Sequence, residues 1–146
     1  MQSSRTAMLT DALINSIQAP DVQEILHAIS KGEVHVNDIL FEDERTIAHE
    51  VAYLGNTEVL KVLKQAGADL SKQDVNGHTP AHLAALQSHA QIFTFLREAK
   101  VNMNKQDIFG NTPAHFAAVR GCAQILQILR QVGTDWDKQN YYGETL

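Results

Sequence analysis

One cysteine, Cys122, is all the thiol this 146-residue chain holds, so no disulfide can form within it, and a reducing compartment suits it. Basic clusters of the kind that track phosphates are missing too. With 17 acidic against 12 basic side chains the net charge is -5, and nucleic acid is not an expected partner. No apolar run approaches the length of a membrane span, and none opens the chain as a leader peptide would. No membrane contact is therefore expected, and the expected setting is cytoplasmic or nuclear. An effector exported without a cleaved leader would read the same way, and for a bacterial effector the setting becomes the host cytosol.

Short motifs that announce a reaction are also missing: there is no Gly-x-Ser-x-Gly, no glycine-rich phosphate loop and no paired-acid motif. Cys122 and His115 stand seven residues apart, but no orienting carboxylate follows them. The chain is accordingly read as no enzyme, with no catalytic residue, no cofactor and no metal.

What the chain has is repetition. Gly77-His-Thr-Pro-Ala-His-Leu-Ala-Ala85 returns 33 residues later as Gly110-Asn-Thr-Pro-Ala-His-Phe-Ala-Ala118. Sliding by the same period reaches Thr46-Ile-Ala-His49 upstream and Gly143-Glu-Thr145 downstream. Lys72-Gln-Asp74, Lys105-Gln-Asp107 and Lys138-Gln-Asn140 share that period, as do Leu63, Leu96 and Leu129. Two motifs with a single period identify a repeat protein, and 44% hydrophobic residues suffice for the continuous core of one domain.

Each unit reads as a turn and two helices. Thr79-Pro80 and Thr112-Pro113 are helix starts: the hydroxyl caps a free backbone N–H, and proline at the first helical position lacks an N–H that had no partner. The first helices are short, from Pro80 to about Gln87 before a break at Ser88-His89, and from Pro113 to Arg120 before Gly121. Ala81, Ala84, Ala85, Ala114, Ala117 and Ala118 let a second helix come close. In those second helices Val59, Leu60, Val62 and Leu63, and again Ile125, Leu126, Ile128 and Leu129, form apolar stripes at helical spacing. Gly67 and Gly133 supply the left-handed residue that ends them, whereas the middle unit has Lys100 there, at a cost of about 1 kcal/mol.

These residues resemble the signature of the ankyrin-repeat family, threonine, proline, leucine, histidine and an alanine pair after one variable residue. The chain departs from it with alanine in the leucine slot (Ala48, Ala81, Ala114) and with Ile47 in place of the first proline. The resemblance implies an all-α solenoid of stacked helix-turn-helix units joined by β-hairpin loops. It covers 41–73, 74–106 and 107–139 as repeats, with 140–146 opening a further one. Residues 1–40 are expected to form a degenerate N-terminal capping unit, needed because each unit buries its apolar face only against neighbours. In it, Thr10 to Ile17 and Asp21 to Lys31 would be a helix pair, the second led by a capping box at Asp21-Val-Gln-Glu24, with Met1 to Arg5 disordered. Because the chain stops at Leu146 where a fourth helix pair should start, a longer native protein or an end covered by a partner is expected, and otherwise a monomer.

Three of the seven histidines, His49, His82 and His115, stand in register. Equivalent positions of stacked helices lie about 8–10 Å apart, too far for a shared ion held at about 2.1 Å. Each imidazole is expected to bond threonine or backbone groups at its own helix start. Lys72, Lys105 and Lys138 form a column read as a solvated edge, and Leu70, Met103 and Trp136 are read as seals between units. Asn104, eight residues after Leu96, resembles the pattern that asparaginyl hydroxylases accept in ankyrin domains, and is otherwise a turn residue.

With chemistry set aside, residues that vary between units are the ones free to recognise. By the family resemblance these lie at the hairpin tips and on the exposed side of the first helices, lining a concave groove. The tips are Glu42-Asp43, Val75-Asn76, Ile108-Phe109 and Tyr141-Tyr142, and the helix positions are Tyr53-Leu54, Leu86-Gln87 and Val119-Arg120. Tips in water should be polar, yet the last two carry isoleucine, phenylalanine and two tyrosines, and such exposed apolar strips mark interaction sites. The expected function is a non-catalytic adaptor or inhibitor module binding one protein partner through this groove. The alternative is a targeting or substrate-recruiting segment of a larger multidomain enzyme or secreted effector continuing beyond Leu146.

Overall fold

A computed structural model describes residues 9–145. The segment Met1 to Arg5, expected to be disordered, and Leu146 lie outside the described residues. Eight α-helices are present among them: α1 Asp11–Asn15, α2 Pro20–Ser30, α3 Ile47–Leu54, α4 Thr57–Gln65, α5 Pro80–Leu86, α6 Ala90–Glu98, α7 Pro113–Arg120 and α8 Ala123–Gln131. The chain is all-α, and the stack is a solenoid: α3, α5 and α7 pack in one row, α4, α6 and α8 in a second, and each unit pairs one helix of each row. Among the described residues, no helix is long and apolar enough to cross a membrane.

The first row is built from threonine and alanine. Thr46, Thr79 and Thr112 precede α3, α5 and α7, and each forms a capping box with the histidine three residues on. The alanines behind them leave no room for water, with Ala52, Ala84, Ala85 and Ala117 all fully buried. The second row supplies bulk through Val59, Leu60, Leu63, Ile92, Phe93, Leu96, Ile125 and Leu129, also fully buried. Small residues on one helix and large ones on its partner give the close-packed interior that stacked units need.

Two features of the N-terminal helix pair, expected to form a capping unit, differ from the sequence reading. Helix α2 begins one residue earlier than the proposed Asp21 cap: Ala19 is the N-cap without a side-chain bond, and Pro20 holds the first helical position. The ring of Pro20 pre-sets that turn, so Asp21 sits inside it, where a carboxylate still meets the positive helix end. Helix α1 stops at Asn15, short of Ile17, after Thr10 Oγ1 caps Leu13 N at 3.3 Å. The cap also breaks the row pattern, with α2 packed on α3 and α1 on α4. It closes the core with Leu9, Ile14, Ile17, Val22, Leu26 and Ile29, none more than 4% exposed.

Hairpins join the units. In the first, Asp74 N donates to His78 O and Gly77 N to Asp74 O, both at 2.9 Å, which closes a tight loop without room for a strand ladder. The middle unit lacks glycine at both of its helix ends. It holds Ser88 at φ 60 and Lys100 at φ 58, where its neighbours carry Gly55, Gly121, Gly67 and Gly133. Leu70 and Met103 are buried between units at 3% exposure, and half-buried Trp136 lies under the Arg130 guanidinium, 5.7 Å from its ring centre.

Candidate functional site: an apolar opening at the C-terminal end of the stack

The tips are held by a carboxylate or amide at each hairpin start. Asp74 Oδ1 accepts from Asn76 N and His78 N, Asp107 Oδ1 from Phe109 N and Asn111 N, and Asn140 Oδ1 from Tyr142 N and Glu144 N. Each tip is then joined to the next by a backbone bond: Val75 N to Asp43 O at 2.8 Å, Ile108 N to Asn76 O at 3.0 Å and Tyr141 N to Phe109 O at 2.9 Å. The side chains of Val75, Ile108, Phe109, Tyr141 and Tyr142 stay exposed above this scaffold, while Asn76 is half-buried.

The histidines in register are the joists beneath. Thr79 N donates to His82 Nδ1 at 3.1 Å, and the same bond ties Thr46 to His49 and Thr112 to His115. The other ring nitrogen donates across the unit boundary, from His49 to His78 O, from His82 to Asn111 O at 2.8 Å and from His115 to Glu144 O. The threonine partner follows from the sequence; the bridge to the next hairpin was legible only as the shared period. A ring that accepts at Nδ1 and donates at Nε2 is neutral. Burial pushes the His82 imidazole down to about 4 and lowers that of His49 as well, in each case against the backbone carbonyl bond that favours the charged ring.

Among the sequence-derived candidates, the structure brings five together. Leu86, Phe109, Val119, Arg120 and Tyr142 line one opening of about 450 Å³ at the C-terminal end of the stack. Val119 is 85% exposed, Tyr142 70% and Phe109 47%, and the Phe109 and Tyr142 rings stack at a centroid distance of 6.2 Å with 23° between planes. Arg120 is exposed in the last turn of α7 and forms no ion pair among the described residues.

The remaining candidates lie elsewhere. Ile108 and Val75 are half out of the surface and Tyr141 is 70% exposed, but all three sit outside the opening. Asn76 is half-buried and Gln87 exposed, Leu54 is exposed at the end of α3, and half-buried Tyr53 is engaged through its carbonyl, which accepts from His89 Nε2 at 2.9 Å.

Sequence reasoning missed Phe116, a wall of the same opening, with Asn111 and Asn140 below it, where Asn140 Nδ2 donates to Asn111 Oδ1 at 2.9 Å. The available signal was the register Glu50, Leu83, Phe116, which varies as much as the tips do. Leu83 is fully buried in the middle of the stack, whereas Phe116 is half-buried and turns its edge to His78 and His82.

The other sequence candidates are quieter. Lys105 Nζ donates to Ser71 O at 3.0 Å, so the lysine column is not uniformly free. Cys122 is half-buried at the N-cap of α8, and Asn104 is exposed with its N–H bonded to Asn102 Oδ1.

Comparison with protein families finds ankyrin repeats in three copies over residues 9–107 and a further ankyrin repeat over 109–141. No individual curated protein matches alongside them.

Proposed function

Because the chain belongs to the ankyrin-repeat family, whose repeats generally act as protein–protein interaction modules, we propose that it binds a protein partner through the C-terminal end of its concave face. The partner inserts side chains against Leu86, Phe109, Phe116 and Val119, and Arg120 and Tyr142 supply polar contacts at the edge. The module works as an adaptor or inhibitor and carries out no reaction of its own, since its three histidines in register spend both ring nitrogens on the fold.

The observation that carries this reading is the stacked pair Phe109 and Tyr142. Two large rings stand at neighbouring tips, exposed, over an apolar opening, where a tight turn requires neither. Aromatic and arginine anchors in such pockets dominate interface energetics. Truncating one typically costs about 2 kcal/mol of affinity, a roughly thirtyfold loss. The test compares the parent with a Phe109→Ala/Tyr142→Ala variant in recovering protein partners from cell lysate, with folding checked by circular dichroism. Loss of partners from a helical variant supports the assignment. Equal recovery by both overturns it and moves attention to the convex helices or to the column at Lys72, Lys105 and Lys138.

A further inference from the structure

Carried back one repeat at a time, the positions that line the opening change chemistry in a single direction. The tip register reads Asp43, Asn76, Phe109 and Tyr142, and the register on the helices beneath it reads Glu50, Leu83 and Phe116. The residue before each tip follows the same course, from Glu42 through Val75 and Ile108 to Tyr141. All three registers start on a carboxylate and finish on an aromatic ring. They belong to one continuous face, because α3 packs on α5 and α5 on α7, and each tip bonds the next through the backbone.

The charge at the far end is uncompensated. Glu42, Asp43 and Glu44 are exposed, and none of the three forms an ion pair among the described residues. Arg45, the only base of that hairpin, is already spent: its Nε lies 3.2 Å from Asp74 Oδ2 and its Nη1 3.6 Å from Glu50 Oε1. Burial raises the Glu50 carboxyl above its usual range, and although Arg45 opposes this, Asp21 and Asp43 push the same way as burial. At the opening, by contrast, Arg120 and Glu144 both stand in the lining and offset each other. One face therefore joins an anionic end to a nearly neutral, apolar one.

Resting on the reading of the opening as a protein-binding site, we propose that its occupant is an extended polypeptide segment with a basic run set apart from an apolar anchor. The anchor sits against Phe109, Phe116 and Tyr142, and the Lys or Arg side chains of the run lie over Glu42, Asp43 and Glu44. Stacked units repeat at about 8–10 Å, so the acidic tip is two to three units, about 16–30 Å, from the two aromatic tips. An extended chain advances about 3.3 Å per residue and crosses that distance in about five to nine residues. Complementary charge fixes which way the segment lies, since reversing it brings the basic run to an end with no excess of acid.

Two of the acids can be replaced without harm to the turn. Asp43 and Glu44 hold φ 65 and 61, and Glu44 occupies the position of Gly77, Gly110 and Gly143 in the other hairpins. Asp43→Asn and Glu44→Gly give the first tip the residues of the second, Asn76 and Gly77, and Glu42→Gln removes the third charge.

The test pans the full chain with a phage-displayed library of random peptides about 16 residues long, enough to span the face. Recovered peptides should carry an aromatic or large aliphatic residue and two or more Lys or Arg about five to nine positions away, in one chain direction. Synthesised and titrated, they should bind E42Q/D43N/E44G about tenfold more weakly than the parent. That gap should close at about 1 M salt, where the screening length falls to about 3 Å from about 10 Å at 0.1 M. They should bind F109A/Y142A about thirtyfold more weakly. Peptides weakened by F109A/Y142A but indifferent to E42Q/D43N/E44G, or lacking bases at that spacing, overturn the basic run and leave the opening as a docking site. Peptides indifferent to F109A/Y142A overturn both. A library that enriches nothing overturns the extended segment, while partner recovery still tests the opening. Self-association of the chain that F109A/Y142A abolishes makes a second copy the occupant, and the proposal falls.

Discussion

Replacing Gly77 by alanine tests the hairpin packing directly, because a second glycine provides the control. Gly67 has φ +98 and a Cβ built there meets nothing within 4 Å. Gly77 has φ +77, but its Cβ would stand 2.8 Å from the Asp107 Cα and 2.9 Å from the Ile108 N of the next hairpin. Both substitutions force alanine into the left-handed region, at about 1 kcal/mol each. Only Gly77→Ala adds a collision with backbone, which has no rotamer to escape into. Overpacking of this kind costs about 1–3 kcal/mol. Parting the hairpins also stretches the bond from Ile108 N to Asn76 O, worth about 0.5–1.5 kcal/mol. The expected losses are about 1 kcal/mol for G67A and about 2.5–5.5 kcal/mol for G77A. Urea unfolding followed by circular dichroism measures both. Losses within about 0.5 kcal/mol of each other would mean that adjacent hairpins do not touch through their backbones, and the scaffold under the candidate site would have to be redrawn.

The middle unit offers a gain. Ser88→Gly and Lys100→Gly relax two left-handed residues, so each should raise the urea midpoint, by up to about 1 kcal/mol of stability, and a loss in both would contradict the backbone described for that unit. The His82 ring should keep neutral-imidazole resonances down to about pH 5, and the stability it contributes, present above about pH 6.5, should be lost as pH falls toward about 4, by up to about 3 kcal/mol. A His82 titration midpoint at the ordinary imidazole value would refute its burial.

The repeat architecture was legible in the sequence because its determinants are local and periodic. Thr79-Pro80 starts a helix wherever it occurs, and the alanines and leucines that pack the units recur with that start. Even the awkward residue was visible, since Lys100 stands where Gly67 and Gly133 end neighbouring helices. The cap was less legible: its residues serve one junction only, so no second copy exists to check a register against. There Pro20 overrode the capping box suggested by Asp21 and Glu24. The site was half legible for a related reason. Phe109 and Tyr142 could be named as tips, but their meeting depends on how far one hairpin leans on the next, which no single unit encodes. Phe116 escaped because its signature neighbours are framework, and its partial exposure arises from the stack rather than from its own helix.

The backbone bonds that link the tips separate two tasks that most binding surfaces mix. Val75, Ile108 and Tyr141 donate with their main-chain N–H groups, and Asp43, Asn76 and Phe109 accept with their carbonyls. Every amino acid carries that carbonyl, and every one except proline carries that N–H. The chemistry displayed along the groove can therefore be rewritten position by position while the support underneath stays the same. In such a surface, the displayed side chains are an editable inscription, and proline at the three donor positions is the one character the page cannot take.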